Sequence, residues 1–173
     1  MSEGILLDRL ARGTLLAAEA REARLRQALP QIEAALAGET DAVAVQATLA
    51  CLLWETLVQA NWCGFYRRVG EAELAVGPYQ GGMGCLRIPF SRGVCGACAR
   101  TQATQLVPDV HAFPGHIACD DATRSELVIP VVAGGRLRAV LDLDSPHPDG
   151  FSAGEARLLE ELVARRFGDT LAW

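Results

Sequence analysis

No apolar run in this 173-residue chain approaches the ~20 residues that a membrane-spanning helix needs, which excludes a helical membrane protein. Nor do the basic residues form a block or stripe. With a net charge of −5, the electrostatic footprint of a nucleic-acid binder is missing. The opening Met-Ser-Glu-Gly-Ile-Leu-Leu-Asp lacks the basic start and long apolar core of a secretion signal, so the expected compartment is the cytoplasm. There is no internal repeat and no linker of biased composition, and the length suits one domain with a sizeable core. Cysteine, by contrast, is not scarce: Cys51, Cys63, Cys85, Cys95, Cys98 and Cys119 are present. A chain of this size builds a core without staples, so structural disulfides are not expected. Redox chemistry, metal binding or plain burial remain as uses for the thiols.

Taken in order, Leu6, Leu10, Leu15 and Leu16 recur at roughly helical spacing and predict a helix from about Ile5 to Leu36, interrupted at Pro30. Glu19, Arg21, Glu22, Arg24 and Arg26 read as its solvated face. Gly38 ends the segment, and Thr40-Asp41 is placed to cap a largely buried helix from Asp41 to Ala60, with Cys51 and Trp54 inside its apolar pattern. Strand character then begins. Trp62 to Val69 turns at Gly70-Glu71 into Ala72 to Val76, and Gly77-Pro78 is expected to end that hairpin. Tyr79 to Cys85 reads as a glycine-laden loop, and Leu86 to Phe90 as an edge strand, because Pro89 suits no central one. Ser91 is placed to cap a helix from Gly93 to Gln102, which sets Cys95 in its first turn. A short strand over 104–107, a long loop over 109–125 and a hairpin turning at Gly134-Gly135 follow. Ser152 and Glu155 form a capping box for a last helix with Leu158, Leu159, Leu162, Val163 and Phe167 as its buried stripe. The class is α+β: a mostly antiparallel sheet flanked by helices.

The chemistry concentrates between Gly81 and Ser145. Cys85, Cys95 and Cys119 lie in segments dense in Gly, Pro and Asp, and loops are where reachable thiols sit. The stretch Gly115-His-Ile-Ala-Cys-Asp-Asp121 presents a sulfur rather than hiding one. A helix N-terminus near Cys95 should ease loss of its proton. Cys98 reads as buried, because a Cys-x-x-Cys pair is a redox motif in a βαβ setting that is absent here. A zinc set drawn from Cys95, Cys98, His111, His116 and Cys119 lacks the spacing of a common structural site. Alternation along the last strand places Leu137, Ala139, Leu141 and Leu143 on one face, and Arg138, Val140, Asp142 and Asp144 on the other. The acids of the second face, with Glu126 at the head of the neighbouring strand, are either solvated or line a polar cavity. In a cavity, like charges raise one pKa, and a carboxylate becomes a proton donor near neutral pH.

Several motifs in order carry a resemblance. Asn61-Trp62-x-Gly64-Phe65-Tyr66 is followed by Gly77-Pro78-Tyr79-Gln80-Gly81, Cys85-x-Arg87-Ile88 and Arg92-Gly93-Val94-Cys95-Gly96. Asp109-Val110-His111, Gly115 to Asp120, Ser125-Glu126 and Leu141-Asp142-x-Asp144-Ser145 complete the series. In these motifs the chain resembles the free methionine-(R)-sulfoxide reductases, enzymes built on a single GAF domain. The resemblance implies a GAF-like fold over residues 39–173 and an N-terminal helical extension over 1–38. It implies reduction of free methionine (R)-sulfoxide to methionine without a cofactor or metal. Cys119 matches the cysteine that attacks the sulfoxide sulfur, Cys85 its resolving partner and Cys95 a third thiol able to relay. Glu126, Asp142 and Asp144 match carboxylates that hold the sulfoxide and the substrate ammonium, and Trp62 and Tyr66 an aromatic wall near its methyl group. Thioredoxin as reductant and a homodimer are implied as well. The competing class is a non-catalytic GAF module that senses a small ligand, which would not need the cysteine triad.

Overall fold

The computed structural model describes residues 5–115, 121–168 and 171–173. In chain order the elements are α1 (Ala18–Ala35), α2 (Ala42–Thr56), β1 (Trp62–Arg68), β2 (Glu73–Gly81), β3 (Arg87–Pro89), α3 (Gly93–Thr101), β4 (Gln105–Val107), β5 (Ser125–Ala133), β6 (Arg136–Ser145) and α4 (Ala153–Arg166). A single 3-10 turn, Val110–Ala112, precedes the long connection into β5. The strands form one antiparallel sheet in the order β3-β2-β1-β6-β5-β4. The α+β class with a GAF-like antiparallel sheet is borne out, and β3 lies at an edge as Pro89 required.

Each face of the sheet has its own core. On one, Leu25 and Ile32 of α1, Leu49 and Leu53 of α2 and Leu159 and Leu162 of α4 pack against Phe65, Leu127 and Leu141. On the other, Val94 and Cys98 of α3 pack against Tyr66, Leu74, Val128 and Val140. Burying each such aliphatic side chain contributes about 1.5–3 kcal/mol. Asp41 caps α2 by accepting from the Ala44 amide, and Ser152 and Glu155 cap α4 reciprocally.

Several expectations are corrected. Residues 5–17 are not helical: Gly13 takes φ +86 and donates its amide to the Val58 carbonyl. Arg12 draws the segment onto α2, with its guanidinium 3.8 Å over the Trp54 ring and hydrogen bonds to the Trp54 and Leu57 carbonyls. Pro30 lies inside α1 without ending it, because the buried stripe Leu25, Ala28 and Ile32 holds the helix on both sides of the ring. Cys51 is exposed rather than core, and α2 stops at Thr56. Strand β2 runs on through Gly77-Pro78 to Gly81, where Gly77 and Pro78 together oppose Phe65 as a bulge, a position that tolerates proline's missing donor. Ser91 does not cap α3. Arg92 occupies the cap position without a side-chain bond, and the Gly93 amide donates instead to the Gly115 carbonyl at 2.9 Å. A second bulge opposes Val131 and Val132 to Ala139 and Leu137, leaving Arg138 as the extra residue, so Leu137 joins the core of the opposite face from Ala139.

Arg21 does not belong to the solvated face. It is 7% exposed and donates from Nε to Glu155 Oε2 at 3.0 Å, while Gln59 Nε2 donates to Glu155 Oε1 at 2.9 Å. Glu155 is fully buried, and burial pushes its carboxyl pKa up against the opposing pull of Arg21. Removing one partner of such a pair strands the other charge, so Arg21→Ala is expected to lower the unfolding free energy by about 3 kcal/mol in a denaturant titration. A loss under 1 kcal/mol would mean that the pair is effectively solvated.

Candidate active site

The register of β5, β6 and β1 assembles one polar face. Asp144 pairs with Glu126 on one side and with Trp62 on the other; Asp142 pairs with Val128 and Gly64; Val140 pairs with Tyr66. Because strand side chains alternate, Trp62, Tyr66, Glu126, Asp142 and Asp144 all project from the same face. The three acids are buried, at 8%, 5% and 8% exposure, so the solvated alternative for them is excluded. One carboxylate oxygen from each lies within 4.8 Å of the others. Among the described residues this is the group able to hold a metal ion, and three N–H···O contacts of about 2.8 Å from one ammonium also reach across such a span.

Gly64 makes room for the aromatic wall. A Cβ there would lie 2.2 Å from the Tyr79 Cβ. With no side chain at 64, Trp62 stacks on Tyr79 at 5.1 Å and on Tyr66 at 5.3 Å between ring centroids. Tyr79 joins this wall although Pro78 marks it as loop in the sequence; extending the hairpin past the bulge brings the aromatic opposite Gly64. The Trp62 Nε1 is buried without a partner among the described residues.

Burial raises the pKa of Glu126, and the Asp142 charge raises it further. Burial also raises Asp142, against hydrogen bonds from the Cys95 thiol and the Leu143 amide. The two acids repel each other in a low-dielectric setting, so one of them holds a proton well above the ordinary carboxylate range. Cys95 occupies the first turn of α3 as expected, yet its proton is not eased off. It is buried, and burial followed by the charges of Asp142 and Glu126 pushes its thiol pKa well up. Burial likewise raises Tyr66, whose hydroxyl oxygen accepts from the Cys85 amide.

Cys85 is half-buried and disulfide-bonded, whereas Cys51, Cys63, Cys95 and Cys98 are free. Cys98 is buried and directs its thiol to the Val128 carbonyl at 3.6 Å. Cys95 turns to Asp142 instead, so the two do not converge on a shared ligand with His111. Cys119 and His116 lie outside the described residues. The ends of their loop are tied together: the Val110 amide donates to the Arg124 carbonyl at 2.8 Å, and Arg124 pairs with Asp109 at 3.6 Å.

Comparison with known proteins agrees with this arrangement. The GAF domain family model matches residues 41–171. The chain is 43% identical over 132 residues to the free methionine-R-sulfoxide reductase of Escherichia coli, covering 76% of this chain and 79% of that protein. It is 38% identical over 150 residues to the enzyme of the same name from Saccharomyces cerevisiae, covering 83% of each. The X-ray structure of free methionine-R-sulfoxide reductase from Neisseria meningitidis in complex with its substrate superposes with a TM-score of 0.80 at 41% identity, over 91% of this chain and 96% of that one. With the fold, the acid-lined face and these matches in agreement, the chain belongs to the GAF-domain proteins and, among them, to the free methionine-R-sulfoxide reductase family.

Proposed function

We propose that this protein reduces free L-methionine (R)-sulfoxide to L-methionine. The observation that carries the reading is the pair of raised carboxylic acids one strand from a stacked aromatic wall, beside the disulfide-bonded Cys85. A sulfoxide sulfur accepts a nucleophile once its oxygen is protonated, so the reaction needs a thiolate and an acid that still holds its proton near neutral pH.

In this reading the Cys119 thiolate attacks the sulfoxide sulfur while the proton shared by Glu126 and Asp142 passes to the oxygen. Methionine leaves and Cys119 is left as a sulfenic acid. The Cys85 thiol condenses with it, releasing water and forming a Cys85–Cys119 disulfide. The bonded state of Cys85 suits the role of a resolving thiol. A thioredoxin-type dithiol then reduces the disulfide and restores both thiols. Asp144, with the acids beside it, receives the substrate ammonium, and Trp62 and Tyr66 receive the methyl group. Cys95, held against Asp142, is a reserve resolving thiol. Residues 39–173 are the catalytic domain and 1–38 an extension of it, in line with a family match that begins at residue 41. A homodimer working in the reducing cytoplasm completes the proposal.

Cys119→Ser is expected to abolish reduction of free methionine (R)-sulfoxide, and the reduced wild-type protein is expected to lose two free thiols when that substrate is added without reductant. Unchanged thiol counts with bound substrate would favour a sensor.

Selectivity for the free amino acid follows from the buried acids. Acylating the amine removes the positive charge that the acids read, so kcat/KM for N-acetylmethionine sulfoxide should fall by a factor on the order of 10⁴. Comparable values for the two substrates would show that the carboxylates do not read the ammonium.

The acids also make a prediction for stability. A folded-state carboxyl pKa raised above its unfolded value means that the folded protein binds the extra proton, so stability falls as pH rises from the ordinary carboxylate range towards the raised value. Glu126→Gln removes that loss. Without substrate, the variant is expected to have a higher urea midpoint than wild type at pH 8, a difference that shrinks towards pH 4, and to have lower turnover. A lower midpoint at pH 8 would mean that Glu126 is stabilised as an anion.

A further inference from the structure

Strand β6, which carries Asp142 and Asp144 near its end, carries Arg136 and Arg138 at its start. Where β1 ends and β6 begins, a cavity of about 530 Å³ is lined by Gln46 of α2, Arg67, Arg68, Arg136, Arg138 and Trp173, among others. Four of the 16 Arg and Lys residues of a chain with net charge −5 meet there, and none of the lining side chains is acidic. Arg68 is engaged by neighbouring carbonyls, those of Gly70 at 2.8 Å and Glu71 at 3.3 Å. Among the described residues, Arg67, Arg136 and Arg138 take part in no ion pair.

Solvated arginines at strand ends would explain Arg67 and Arg136, which are exposed. They do not explain two buried groups in the same wall. The Arg138 Nε is buried with no hydrogen-bond partner, at the bulge where it is the extra residue of β6. Gln46 is 1% exposed, and its Oε1 also has none. Buried polar groups in native proteins are nearly always satisfied, and bulges re-aim side chains next to functional sites. The Trp173 ring, 42% exposed, lies 5.8 Å from the Arg138 guanidinium and 5.8 Å from the Phe167 ring.

We propose that this cavity is a binding site for a nucleoside diphosphate. Three unpaired guanidiniums match a diphosphate in charge and grip its oxygens as planar forks. The Trp173 face takes the base, and the Gln46 amide takes a base or ribose polar group. The volume lies within the range of small-molecule sites, roughly 300–1,000 Å³, and far exceeds what one inorganic ion fills.

The test is calorimetric titration of the full chain with ADP, inorganic pyrophosphate and adenosine at physiological salt. ADP is expected to bind saturably at one per chain, pyrophosphate more weakly, and adenosine without detectable heat. The Arg67→Gln/Arg138→Gln double variant should weaken ADP binding at least about 10-fold, the effect of losing one charge-assisted hydrogen bond or more. Arg136→Gln, at an exposed position, should act in the same direction, so the result does not depend on the bulge tolerating substitution. Trp173→Ala should weaken ADP but not pyrophosphate. Absence of saturable ADP binding at millimolar concentration, or unchanged affinity in both arginine variants, would overturn the site. Equal affinities for ADP and pyrophosphate would overturn the assignment of the base to Trp173.

Discussion

Three carboxylates buried against one another set the terms for everything around them. Glu126, Asp142 and Asp144 are each under a tenth exposed, and their oxygens crowd within 4.8 Å. For Glu126 and Asp142 burial favours the protonated form, and for Glu126 the Asp142 charge adds to it, so the face depends on the rest of the fold to hold it in place. What holds it is the apolar layer on the reverse of the same strands, where Leu127, Leu141 and Leu143 alternate with the acids and are closed over by α1, α2 and α4. The cost of the acid face is offset by that packing, an arrangement common where function requires local destabilisation.

Strand β6 separates charge along its length instead of neutralising it. Asp142 and Asp144 stand near the end of β6 and Arg136 and Arg138 at its start. Four residues of strand place Arg138 about 13 Å from Asp142, beyond the reach of a salt bridge and beyond the ~8 Å screening length of physiological salt. Arg138 accordingly has no part in setting the Asp142 pKa, which answers to burial, Cys95 and the Leu143 amide. Two clusters of opposite charge that share β6 are thereby kept apart without quenching each other.

What was legible in the sequence was whatever rests on local geometry. The period of two along β6 put Asp142 and Asp144 on one face with Val140, and Ser152 with Glu155 marked the start of α4 before any contact was known. What failed depended on partners distant in sequence. Arg21 looked like one charge among several on a solvated helix until Glu155, 134 residues away, took it inside. Leu137 kept the expected parity only as far as the bulge at Arg138. Tyr79 was hidden by a proline that a bulge opposite Phe65 accommodates. The leucines of residues 6–16 have helical spacing, but Arg12 finds better partners on α2 than a helix would offer it.

Cys95 shows how magnitudes decide between two sound arguments. A helix N-terminus favours a thiolate by roughly 0.3–1 kcal/mol, and by at most about 2 in partly buried settings. Full burial shifts a titrating group by up to about 3–5 pKa units, near 4–7 kcal/mol, and adjacent carboxylate charge acts in the same direction. For Cys95, buried against Asp142, burial wins and the thiol keeps its proton. The conflict sharpens when a cation enters the acid cluster, because the acids that ionise to meet it make a thiolate beside them still less favourable. A site that reads an ammonium with these carboxylates therefore cannot draw its first nucleophile from α3. In the proposed reaction the attacking sulfur comes from outside the acid layer, from the Cys119 that the sequence carries between Asp109 and Ser125.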